Sequence, residues 1–153
     1  MRLTRLLLVA TPVLLACQGS SGANGAPPEG FPVAWAYDDC APWDGGALSI
    51  FLGTQIPTGA STPIPPYVRV TVYSRGVAPG STFEWTEPQG QVGGAARCLT
   101  SGPCELATSA RVSFVTPAGG EDFAGVVHLE FGAAPPTVGG FRATLVPREA
   151  LCG

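Results

Sequence analysis

From Phe31 onward, apolar side chains recur at every second position. Leu48, Ile50 and Leu52 alternate with Ala47, Ser49 and Phe51, and Val68, Val70 and Val72 with Tyr67, Arg69, Thr71 and Tyr73. Val112 and Phe114 alternate with Arg111 and Ser113, then Phe123, Gly125, Val127, Leu129 and Phe131 with Ala124, Val126, His128 and Glu130. The last set is Phe141, Ala143 and Leu145 against Arg142, Thr144 and Val146. Successive side chains of an extended chain point to opposite faces, so each set marks one buried face of a strand. Weaker strands are predicted over 31–37, 81–86 and 95–99. Beyond the N-terminal segment no stretch carries the 3.6-residue spacing of an amphipathic helix.

Turn-forming sequence separates these runs: Pro57 to Pro66, Ala78-Pro79-Gly80, Pro88-Gln89-Gly90, Pro117 to Asp122, and Ala133 to Gly140, which is predicted to close the last hairpin. The spacing predicts an all-β fold, an antiparallel β-sandwich of about seven or eight strands over residues 31–153. Gly 21 and Pro 16 of 153 residues would also suit disorder, but disordered chains lack sustained Val, Phe and Leu alternation. Charged residues make up 12 % of the chain, about half the usual share, and its formal charge is −3. Without a basic surplus there is no electrostatic footprint for nucleic acid.

The N-terminus follows a different logic. Arg2 and Arg5 precede an apolar stretch from Leu6 to Ala16, too short to span a bilayer but of the size of a signal-peptide core. Leu14-Leu15-Ala16-Cys17 resembles the lipobox of bacterial lipoproteins. The resemblance implies that residues 1–16 are a signal peptide cleaved before Cys17, whose thiol carries a diacylglyceryl thioether. The membrane is then the first partner, engaged through acyl chains at about 0.8 kcal/mol per buried CH₂. In Gram-negative lipoproteins Asp after the Cys favours the inner membrane; Gln18 therefore implies the outer one. Residues 17–30, rich in Gly and Pro with no large apolar side chain, are predicted to be a flexible tether spanning about 20 Å.

Five cysteines become four when Cys17 is acylated, an even number suited to an oxidising compartment. Cys40, Cys98, Cys104 and Cys152 allow three pairings. The turn Leu-Thr-Ser-Gly-Pro between Cys98 and Cys104 favours a bridge there, which leaves Cys40 with Cys152, near the two ends of the domain. Chain entropy gives the short loop about 2.4 kcal/mol and the long one about 4.8 kcal/mol. No CxxC knuckle supports zinc. The run from Ala124 to Phe131, then Gly140 to Leu145 before Cys152, with no Lys in the chain, resembles the final hairpin of small β-sandwich lipoproteins of the myxobacterial type. That resemblance implies a fold and an address but no activity.

Candidate chemistry is sparse. His128, the only imidazole, lies on the outward phase of its strand two residues from Glu130, and would need a Ser partner to act as a general base; no Gly-x-Ser-x-Gly elbow supplies one. Asp38, Asp39 and Asp44 around Cys40 offer oxygen ligands for Ca²⁺, although Gly45-Gly46 after Asp44 is also ordinary turn sequence. Trp43 lies in the same loop, while Tyr67 and Tyr73 occupy the phase opposite the Val face, so an exposed aromatic row would suit sugar rings. Trp35 and Trp85 fit a core phase. Gly93-Gly94 is followed by no helix, so it is no phosphate cradle. The expectation is a non-catalytic, cofactor-free domain with a structural or interaction role. The alternatives are a glycan or Ca²⁺ module built on Trp43, Asp38, Asp39 and Asp44, and a hydrolase centred on His128.

Overall fold

A computed structural model describes residues 25–43, 45–58, 63–74, 77–86, 91–115 and 122–147. Nine strands follow one another: β1 (Val33–Cys40), β2 (Gly46–Gly53), β3 (Tyr67–Val72), β4 (Thr82–Trp85), β5 (Gly93–Cys98), β6 (Glu105–Leu106), β7 (Ser109–Phe114), β8 (Asp122–Phe131) and β9 (Ala134–Leu145). The chain is all-β, and each predicted strand has a counterpart here, with β6 as an addition. The strands form one hydrogen-bonded sheet in the order β4-β7-β8-β9-β1-β2-β3-β5-β6. Every neighbouring pair is antiparallel except β1 and β9, which run parallel through Ala34–Ala36 and Ala143–Leu145.

The sheet is therefore mixed and continuous, where two antiparallel sheets were expected. Period-two patterning states which face of a strand is buried, but not which strands pair or in which direction. Here the last long strand takes β8 along one edge and β1 along the other, joining the two halves into one.

The alternating residues face inward together. Leu48, Ile50 and Leu52 meet Val68, Val70 and Val72 from one half, and Val112, Phe114, Val127, Leu129, Phe131 and Phe141 from the other, in a single buried cluster. The curl is completed by Trp85 of β4, which crosses to β5. A Cβ on Gly93 would stand 3.0 Å from the Trp85 ring and 2.5 Å from the Thr71 carbonyl oxygen, so only glycine fits beneath the indole. Outside the sheet, on the opposite phase, Trp35 stacks on Phe51 with ring centroids 5.5 Å apart. Tyr37 meets Phe51 edge-on, also at 5.5 Å, and Tyr67 closes the cluster from β3. Trp35 is buried as expected, but in this outer cluster and not in the main core.

One turn expectation is overturned. Ala133 to Gly140 is not a loop: β9 begins at Ala134, and the hairpin turn is Gly132–Ala133, with Gly132 at φ +47°. Pro135 and Pro136 are tolerated for two physical reasons. A register shift between Leu129 and Phe131 absorbs one extra residue of β9, and β1 pairs with β9 only from Ala143 onward, so absent proline N–H groups break no ladder there. Upstream of β1, in the segment predicted as tether, the chain runs beside β9, and Gly140 N–H donates to the Ala26 carbonyl at 2.9 Å.

Candidate functional site

The β1–β2 hairpin and the outer face of β3 and β5 bring the most chemistry together. After Cys40 the chain turns through Pro42 and Trp43, held by the Ala41 N–H donating to the Gly45 carbonyl at 2.8 Å. The turn carries Trp43 outward, leaving it 57 % exposed. Its ring packs edge-on against Tyr73, just past β3, with centroids 5.1 Å apart. Tyr73 is fixed by its own N–H donating to the Val92 carbonyl at 2.9 Å.

Strand alternation places Arg69, Thr71 and Tyr73 on one face of this stretch. Gly94 and Ala96 of β5 stand opposite Thr71 and Arg69. Because glycine and alanine fill so little space, a shallow cavity of about 90 Å³ remains, lined by Arg69, Thr71, Tyr73, Gly94, Ala96 and Leu106. Thr71, one of its lining residues, ends a short hydrogen-bond chain. Ser49 Oγ donates to Asp39 Oδ2 at 2.7 Å and lies 2.8 Å from Thr71 Oγ1. A hydroxyl has one proton. Since that of Ser49 goes to the carboxylate, Thr71 must donate to Ser49, which leaves lone pairs on Thr71 Oγ1 to accept from a ligand. Asp39 Oδ1 also accepts from the Cys40 N–H at 2.9 Å. Arg69 is exposed.

The predicted residues are only partly gathered here. Trp43 and Asp39 belong to this face. Asp38 pairs with Leu48 and Asp39 with Ala47, so the two carboxylates lie on opposite phases of β1 and do not converge. Asp44 lies outside the described residues, as do Cys17 and Cys152. Among the described residues no group of three or more His, Cys, Asp or Glu is placed to hold a metal. Cys98 and Cys104 are joined by a disulfide. Cys40 is also disulfide-bonded, and its partner lies outside the described residues.

His128 stands half exposed on β8, with Nε2 3.7 Å from Glu130 Oε1. Ser109 Oγ donates to the other Glu130 oxygen at 2.9 Å. The carboxylate thus stands between serine and imidazole, so the imidazole is not positioned to take the serine proton, as a nucleophilic triad requires. A larger cleft of about 530 Å³ opens beside β9, walled by Phe31, Val33, Leu52, Ile56 and Phe141; at its rim Asp122 accepts from Thr144 Oγ1 at 2.7 Å. None of the predicted site residues lines it.

Arg69, Thr71, Ser49 and Gly94 were not singled out from sequence as functional. Two signals pointed to them: Arg, Thr and Tyr at alternate positions on the face away from the Val stripe, and a Gly pair inside a strand, which marks a weak or open stretch of sheet. No family model, curated protein or solved structure matches this chain.

Proposed function

We propose that this chain is an outer-membrane lipoprotein, acylated on Cys17, whose β domain is a non-catalytic binding module presenting the Trp43–Tyr73 face to a carbohydrate. In this reading residues 1–16 are removed, the stretch from Cys17 to the start of the docked segment at Gly25 sets the domain off the membrane, and the curled sheet acts as a sandwich folded on itself. The observation that carries the binding assignment is Trp43. A tryptophan 57 % exposed at a hairpin tip, held edge-on by Tyr73 beside a polar-walled cavity, offers an apolar ring face with hydrogen-bonding groups next to it. Sugar rings need that combination, an apolar C–H face stacked on an aromatic and hydroxyls met by polar groups. The anchor rests on the sequence pattern at Arg2, Arg5, Leu14 and Cys17.

The anchor and the bridges are linked by sulfur arithmetic. If the Cys17 sulfur is a thioether, it cannot be the partner of Cys40, which leaves Cys152. Intact mass and non-reducing peptide mapping of the protein purified from membranes test both together. The expected result is a diacylglyceryl-modified Cys17 peptide and a Cys40–Cys152 peptide pair. A Cys17–Cys40 bridge in the mature protein would overturn the anchor. For the binding face, the Trp43→Ala variant is expected to lose retention on immobilised polysaccharide while keeping its thermal midpoint within a few degrees.

A further inference from the structure

The carbohydrate that suits this face is an acidic one: we infer that Arg69 takes the carboxylate of one uronic-acid unit while the next unit stacks its ring on the Trp43–Tyr73 pair. This deepens the carbohydrate reading above and rests on it.

The argument begins with the arginines. Arg97 pairs with Glu105 at 2.7 Å and Arg111 with Glu84 at 3.0 Å. Among the described residues the Arg69 guanidinium has neither an ion pair nor a hydrogen bond. In a chain with more acids than bases, an exposed guanidinium left unmatched beside a cavity supplies the charge that a bound anion would complete. Its planar fork suits a carboxylate, which it can hold through two parallel hydrogen bonds.

Size points the same way. About 90 Å³ is too little for a whole pyranose but suits one ring substituent. The substituent would enter between Arg69 and Thr71, with Gly94 opposite Thr71 across the strand pair. Thr71 Oγ1, whose proton goes to Ser49, accepts from a neighbouring sugar hydroxyl. From Arg69 to Tyr73 the strand advances about 13 Å, at 3.3 to 3.4 Å per residue, which is long enough for a disaccharide lying along β3. The formal charge of −3 opposes an anion at a distance, but salt screens beyond about 8 Å, so the local guanidinium decides.

Titration of the full-length protein with digalacturonate and, in parallel, with maltose tests the inference, read by the indole N–H resonances of Trp43, Trp35 and Trp85. Digalacturonate is expected to shift the Trp43 signal and leave those of the buried Trp35 and Trp85 in place. Arg69→Gln is expected to weaken digalacturonate at least tenfold and to leave maltose unchanged, whereas Trp43→Ala weakens both. Maltose binding as tightly as digalacturonate, or an Arg69→Gln variant with undiminished affinity, would overturn the acidic preference and leave the carbohydrate reading standing. If neither sugar moves the Trp43 resonance, the carbohydrate reading fails along with it. A shift produced instead by a short peptide through its free C-terminal carboxylate, with both sugars silent, would reassign the face to protein recognition.

Discussion

Trp85 joins the two ends of the curled sheet, and truncating it asks whether that closure is part of the core. The residue is 6 % exposed and lies over Gly93, on a strand to which β4 is not hydrogen-bonded. An indole buries about 150 to 250 Å², or about 4 to 6 kcal/mol at 25 cal/mol per Å². Cutting a buried aromatic back to alanine costs about 3 to 5 kcal/mol in comparable cores. Against this stands the indole Nε1, which is buried with no hydrogen-bond partner among the described residues, at a penalty of about 1 to 3 kcal/mol. Trp85→Ala loses the area and the penalty together and is expected to destabilise by about 3 kcal/mol. Trp85→Phe keeps most of the ring and removes the orphaned N–H, so it is expected to stay within about 1 kcal/mol of the parent. Urea unfolding followed by far-ultraviolet circular dichroism gives both values from midpoints, provided the slopes agree. A loss below about 1 kcal/mol for Trp85→Ala would mean that the seam is open. A Phe variant as damaged as the Ala variant would mean that the N–H has a partner after all.

Arg97 occupies an inward position of β5, opposite Val68, with its guanidinium 4.4 Å from the Phe131 ring centroid and its side chain 11 % exposed. Arg97→Ala is therefore expected to cost about 2 kcal/mol, and Glu105→Gln, at a half-exposed partner, less than about 1 kcal/mol. Equal losses in thermal unfolding would place the energy in the ion pair and not over the ring. Replacing Cys98 and Cys104 together by Ser is expected to lower stability by about 2.4 kcal/mol, the chain-entropy value for so short a loop; a denaturation midpoint unchanged from the oxidised parent would contradict it. His128→Ala, at an outward-facing, half-exposed position of β8, is expected to change stability by no more than about 0.5 kcal/mol. A drop of several kcal/mol would show that the imidazole has a structural partner.

Local chemistry was legible in the sequence because it depends on neighbours a few residues apart. Alternation at Leu48–Leu52, Val68–Val72 and Val127–Phe131 identified strands and the faces they bury. The Leu-Thr-Ser-Gly-Pro turn favoured the Cys98–Cys104 bridge over the other pairings, and the phase of Tyr73 placed it away from the Val stripe. Pro135 and Pro136 misled for the same local reason, since proline reads as a loop until the free edge beside it is known.

Pairing, direction and closure were decided only in three dimensions. The parallel contact of β1 with β9, the passage of Trp85 over Gly93, and the meeting of Arg69, Thr71 and Tyr73 with Gly94 all join segments far apart in the chain. Period two fixes the side of the sheet on which a residue stands, but the free energy that selects its cross-strand neighbour comes from packing the whole core at once. For that reason an all-β chain could be read directly from the amino-acid order, while a mixed, curled sheet with Arg69 and an exposed Trp43 on the same face could not.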